Sequence, residues 1–189
     1  MIDSPLCRSL KSLVAVVFMA TIVSIGACNK TTPTPPVKHG SSETPPLRKA
    51  SVTWGRLAGH RIQLEIADTA DLRADGLAGR ESLDIDCGMI FVYGDAEERA
   101  YWMKGCVMGL DIAFLDGSAQ LIVVYSVDPP RSESEEYETY SSGGKARYVV
   151  EMKKGWFSEH RIQRGEKLHL SPLLQRRADA LARSEGKRQ

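Results

Sequence analysis

Arg61-Ile62-Gln63-Leu64-Glu65-Ile66-Ala67 sets Ile62, Leu64 and Ile66 against Arg61, Gln63 and Glu65. A repeat of two residues is that of a pleated strand with one face on a core and one toward water. Downstream, Met89 to Tyr93 and Ala100 to Met103 are apolar and aromatic, with Gly94-Asp95-Ala96-Glu97-Glu98 between them, which predicts a hairpin. Ile112 to Leu115 and Leu121 to Tyr125 flank Asp116-Gly117, a strong turn dipeptide. Residues 147–152 and 167–170 read as further strands.

Two short helices complete the pattern. Residues 69–77 have Asp68 or Thr69 as a cap, Asp71 in the first turn, and Leu72 and Leu77 as apolar contacts. Residues 155–160 suit one further turn. Many short strands with two small helices predict a β-rich α+β domain: a compact, partly closed β-barrel-like domain with short helices. Residues 50–170 are long enough for one core of this kind and short for two.

The N-terminus has a different composition. Arg8 and Lys11 precede an apolar run over residues 13–25, which ends in Ile25-Gly26-Ala27-Cys28. A spanning helix needs about 20 apolar residues. A shorter run with a basic start and a small-residue end reads as a secretory signal. Ile25 to Cys28 resembles the lipobox of bacterial lipoproteins, which implies cleavage before Cys28 and acylation of that cysteine. Residues 1–27 are then the lipoprotein signal peptide. Residues 28–49 are the lipidated cysteine and a tether rich in proline, serine and threonine, too polar to pack and biased toward extended polyproline II. Asn29, where lipoproteins retained in the inner membrane carry Asp, points to the outer membrane facing the periplasm. The membrane, reached through the lipid anchor, is one expected partner. An envelope protein or cell-wall ligand is the other kind.

Charge narrows the classes. With 25 Lys and Arg against 24 Asp and Glu, the net charge is +1, so no strong field for nucleic acid is implied. His39, His60, His160 and His169 have no metal spacing, and no cofactor signature is present. The serine nucleophile elbow is missing. Ser142-Gly143-Gly144-Lys145 lacks the distal glycine of a phosphate loop.

Three stretches together resemble the bacterial and archaeal family called domain of unknown function 192. The first is Gly76-Leu77-Ala78-Gly79-Arg80-Glu81-Ser82-Leu83. The second is Gly88-Met89-Ile90-Phe91-Val92, followed by Tyr101-Trp102-Met103-Lys104 and Leu110-Asp111-Ile112-Ala113-Phe114-Leu115-Asp116. The third is Tyr140-Ser141-Ser142-Gly143-Gly144, running into Ala146-Arg147-Tyr148-Val149-Val150-Glu151. The resemblance implies a small β-rich fold and no assigned activity. After Lys104 the family usually has Asn-Thr, and a proline before the Leu-Asp pair; this chain has Gly105-Cys106 and Gly109.

Arg80, Lys104, Asp111, Arg147 and Glu151 fall in these segments and form the candidate site. Lys104 and Arg80 suit an anionic group, with Asp111 or Glu151 as acid or base. A set of ion pairs fixing strand ends is the plainer alternative. Trp102, Tyr101, Phe91 and Phe114 suit either a ligand platform or, more commonly at strand spacing, a core. If the hairpin turns between Ala96 and Glu97, Cys87 faces Cys106 at about 4.5–5.5 Å, within disulfide reach. The compartment permits the bond. A structural Cys87–Cys106 disulfide is the expectation; two buried thiols are the alternative, with a redox pair third for want of Cys-x-x-Cys spacing. Residues 171–189 are read as a basic C-terminal tail, frayed and solvated, although Leu173, Leu174, Ala178 and Leu181 share a helical face.

The expected function is an uncharacterised lipid-anchored envelope protein, a noncatalytic binding or accessory domain. Its rival is a hydrolase-like envelope enzyme using the Lys104, Asp111 and Glu151 region.

Overall fold

In the computed structural model, which describes residues 50–131 and 137–185, the alternating stretch becomes strand β2 (His60–Ala67). The expected signal peptide, Cys28 and the expected tether lie outside the described residues. Strand β1 (Ser51–Leu57) pairs antiparallel with β2 through a turn at Ala58 and Gly59. Helix α1 (Ala70–Asp75) is capped by Thr69, whose side chain accepts from the Leu72 amide. The chain then enters β3 (Cys87–Tyr101), which runs parallel to β2. Strands β4 (Leu110–Leu115) and β5 (Leu121–Val127) form a hairpin. Asp116 holds its turn by accepting from the Ser118 and Gln120 amides at 2.8 and 2.9 Å. Strand β6 (Tyr140–Lys153) lies between β3 and β4. Helix α2 (Trp156–Glu159), strand β7 (Leu168–His169) and helix α3 (Pro172–Glu185) follow.

The seven strands form one sheet in the order β5-β4-β6-β3-β2-β1-β7. Its outer strands meet. Gln120 bridges Lys167, and the Leu121 and Leu168 amides donate to the Glu166 and Ala119 carbonyls, each at 2.9 Å. The fold is therefore a curled, partly closed β-rich sheet with few short helices, as the strand pattern implied.

The curl gives two apolar faces. Ile62, Leu64, Ile66, Ile90, Val150 and Leu168 pack on one, with Trp156 and Phe157 of α2 and Leu174 and Ala178 of α3. Met89, Phe91, Ile112, Phe114 and Val149 pack on the other, beneath Leu77 and Met103.

Three expectations change. The hairpin over residues 89–103 is instead the single strand β3, paired along its length with β6. Register shifts between Val92 and Glu97, and between Glu98 and Ala100, mark the polar stretch as a bulged region rather than a turn. With no hairpin there, Cys87 and Cys106 do not face each other. Cys106 is a free cysteine, so the structure does not form the expected Cys87–Cys106 bridge.

The third change concerns the basic tail. Residues 172–185 form α3, with Leu174 and Ala178 buried in the first core. Arg177 pairs with Asp68 and donates to the Ser51 hydroxyl at 2.9 Å. Burial of one apolar stripe and a partly buried ion pair hold a segment that charge alone would leave in water. The folded unit thus continues past residue 170.

Candidate functional site

Glu151 stands in the middle of the sheet. It pairs with Met89 of β3 and Ile112 of β4; Met89 pairs in turn with Glu65 of β2, and Ile112 with Tyr125 of β5. Glu65, Met89, Glu151, Ile112 and Tyr125 therefore form one row across the second face. Apolar neighbours on both sides remove Glu151 from water, and the residue keeps 5% of its surface exposed. Its Oε2 has no hydrogen-bond partner. Burial pushes the carboxyl up to about 8, with Arg80 pulling the other way. An unpaired charge there is costly, so the neutral acid is the resting form at neutral pH.

A cleft of about 300 Å³ opens above this acid. Phe91, Tyr101, Trp102, Lys104 and Cys106 line it, and Arg73 and Asp75 of α1 complete its rim. The segment between β3 and β4 supplies much of the wall. It is held to the loop after α1 by the Gly79 amide, which donates to the Gly105 carbonyl at 2.8 Å. Trp102 is 59% exposed, with the Lys104 ammonium 6.0 Å from its ring centre. The Tyr93 and Tyr101 hydroxyls meet at 2.8 Å, and burial raises Tyr101 well above the usual phenol range. Burial also pushes the Cys106 thiol up to about 11, with Glu151 adding to the shift. A thiol held this firmly is a poor nucleophile.

The five candidate residues divide. Lys104 and Glu151 share the cleft. Arg80 lies within electrostatic reach of Glu151, but its guanidinium is engaged by Glu65 in a bidentate pair at 2.5 and 2.7 Å. This pair raises Arg80 further and removes it as a free anion holder.

Asp111 is not part of the site. It neighbours Ile112, so strand alternation turns it to the opposite face, beside Met152. There it accepts from the Ser126 hydroxyl at 2.6 Å and from the Gly155 and Phe157 amides at 3.0 Å each. It anchors the start of α2. Arg147 is also structural, donating to the Tyr93 carbonyl at 3.2 Å and the Ala178 carbonyl at 2.7 Å, which ties α3 to β3.

Of the four aromatic residues, Phe91 and Phe114 are core, Tyr101 stacks edge-on between them, and Trp102 stands at the cleft. Arg73 and Asp75 at the rim carried no sequence signal of a site. Cys106 did carry one: it marks the loop where this chain departs from the family's usual Asn-Thr.

A second cavity, about 170 Å³, is lined by Met103, Asp128, Arg131 and Tyr140. Among its described lining residues no charged group is buried, so it lacks the feature that singles out the Glu151 cleft. Among the described residues no cluster of three His, Cys, Asp or Glu side chains could hold a metal ion.

The fold has solved relatives. A putative transcription regulator from Sinorhizobium meliloti 1021 is 24% identical with a TM-score of 0.59, the match covering 65% of this chain and 95% of that one. A protein of unknown function from Novosphingobium aromaticivorans DSM 12444 is 23% identical with a TM-score of 0.58, over 66% and 89% of the two chains. At such identities the likeness is one of fold. The comparison with curated proteins gives no match. The model of the DUF192 family, described as an uncharacterized ACR, matches residues 53–170. That span covers most of the chain and all seven strands but the first two residues of β1, so the protein belongs to the domain of unknown function 192 family.

Proposed function

We propose that this is a lipid-anchored protein of the bacterial envelope whose folded domain binds a small molecule in the cleft over Glu151. The observation that carries the binding reading is the unpaired, buried Glu151 carboxyl at an open cleft. A core built for packing alone would place an apolar side chain between Met89 and Ile112. Cys28, the tether composition and Asn29 support anchoring at the outer membrane, facing the periplasm.

The ligand test is a thermal-shift screen of the full chain in nonionic micelles against glycans, peptidoglycan fragments, peptides and nucleotides. A ligand of the folded state raises the apparent stability. The expected outcome is a saturable rise that Glu151→Gln or Lys104→Met reduces. A rise untouched by both variants would place the ligand elsewhere. For the anchor, Cys28→Ser is expected to move the protein from the membrane to the soluble fraction, and unchanged fractionation would reject lipidation.

The hydrolase-like alternative rests on a carboxyl near 8 in the same cleft as Lys104. Such an acid is protonated at working pH, as a general acid must be. With Asp111 on the opposite face, Asp75 at the rim is the other acid of the described lining. Turnover of a bound compound, abolished in Glu151→Gln while binding persists, would establish this alternative.

A further inference from the structure

The charges around the cleft narrow the ligand, given the binding reading just proposed. Arg80 is held by Glu65. Arg73 lies over the Tyr93 ring at 4.7 Å, donates to the Val92 carbonyl at 3.0 Å, and shares the rim with Asp75. Lys104 is exposed and has no ion pair among the described residues. Tyr101 and Cys106 are neutral at pH 7, since burial raises both. With Arg73 and Asp75 of opposite sign at the same rim and Glu151 protonated, the described lining keeps one net positive charge, which Lys104 supplies. The same cleft holds Glu151, an acid that carries a proton and whose Oε2 lacks a hydrogen-bond partner.

We propose that the cleft takes a small monoanionic organic acid, whose carboxylate accepts a hydrogen bond from the Glu151 carboxyl and is countered by Lys104. The ring or chain of the acid lies against Phe91, Tyr101 and Trp102. A charge-assisted bond from a neutral acid to a carboxylate is short and strong. In its charged form Glu151 would repel the same ligand, which makes binding depend on its proton. An amine has the reverse logic. It would ionise Glu151, bind better as pH rises, and meet Lys104 as a like charge. A doubly charged phosphate ester would exceed the single net positive charge of the described lining. The cleft volume, at the low end of the range of ligand sites, suits a molecule of about ten non-hydrogen atoms.

The test uses benzoate, benzamide and benzylamine, which share one ring and differ in charge. Each is titrated into the full chain in nonionic micelles at pH 7 and pH 9, followed by the Trp102 indole proton signal. Benzoate is expected to bind most tightly at pH 7 and about tenfold more weakly at pH 9, as Glu151 loses its proton. Benzoate binding to Glu151→Gln is expected to be flat across that interval, because the amide donates at either pH. Lys104→Met is expected to weaken benzoate at least tenfold and leave benzamide unchanged. Tightest binding of benzylamine or benzamide, or equal benzoate binding by wild type at the two pH values, would overturn the anion assignment and leave the cleft as a ligand site. No saturable shift with any of the three would overturn the anion assignment and the ligand-cleft reading together.

Discussion

Glu151 binds its proton far more tightly in the fold than in an unfolded chain, where a glutamic acid titrates near 4.5. Between those values the folded state holds more protons than the unfolded one. Unfolding therefore releases a proton, and stability falls as pH rises. The slope is about 1.4 kcal/mol per pH unit while Glu151 alone differs between the states. We expect the urea midpoint of the wild type to drop between pH 5 and pH 8 by more than that of Glu151→Gln. Parallel profiles would place the carboxyl in water. Cys106 gives a second residue-scale outcome. Its thiol, raised from 9.0 to about 11, holds about a hundredfold less thiolate at pH 8 than a free cysteine. Alkylation of native Cys106 by iodoacetamide should be slow by that factor and become fast in urea; fast native labelling would contradict its burial.

Elements meet closely where the sequence offers small residues. Gly88 of β3 faces Met152 of β6, and a Cβ there would overlap the Glu151 carbonyl oxygen and the Met152 sulfur. A backbone carbonyl in a central strand cannot step aside. Gly88→Ala should cost about 3 kcal/mol, read as a lowered urea midpoint at unchanged slope. Gly94 plays the same part for α3, since a Cβ there would lie 2.9 Å from the Leu181 carbonyl carbon. Helix α3 earns its order from this contact, from Leu174 and Ala178, and from Arg147 on the Ala178 carbonyl. Leu174→Ala should cost about 2–5 kcal/mol, and a loss below 0.5 kcal/mol would mean a helix that touches but does not support the core.

At the scale of the whole molecule, the seam between Gln120 and Lys167 turns an open sheet into a partly closed one. If the sheet opens as one unit, the amides of Leu121 and Leu168 should exchange hydrogen with the same free energy as the Val150 amide in the interior strand β6. Much faster exchange at the seam would show an edge that opens on its own. The β-rich class was legible without the structure because alternation along β2 and the Asp116-Gly117 turn are local. Thr69 likewise announces α1, since a cap acts on its own first turn. The long β3 was not legible: a bulge and a turn draw on the same Gly, Asp and Glu residues, and only pairing with β6 separates them. Of the five candidate residues, two, Lys104 and Glu151, were legible as members of the cleft. Asp111 was misplaced because adjacent motif letters point to opposite sides of a strand, and Arg80, in the loop after α1, because its partner Glu65 lies on β2. By itself the chain determined its β-rich class, its short helices and the residues able to carry charge chemistry, because each depends on near neighbours. The tertiary structure alone decided that Glu151 is dry and unpaired beneath a cleft, that Cys106 stays a thiol, and that the basic C-terminal segment is a docked helix. Burial and partner choice depend on residues far apart in sequence, and no local pattern encodes the distance between them.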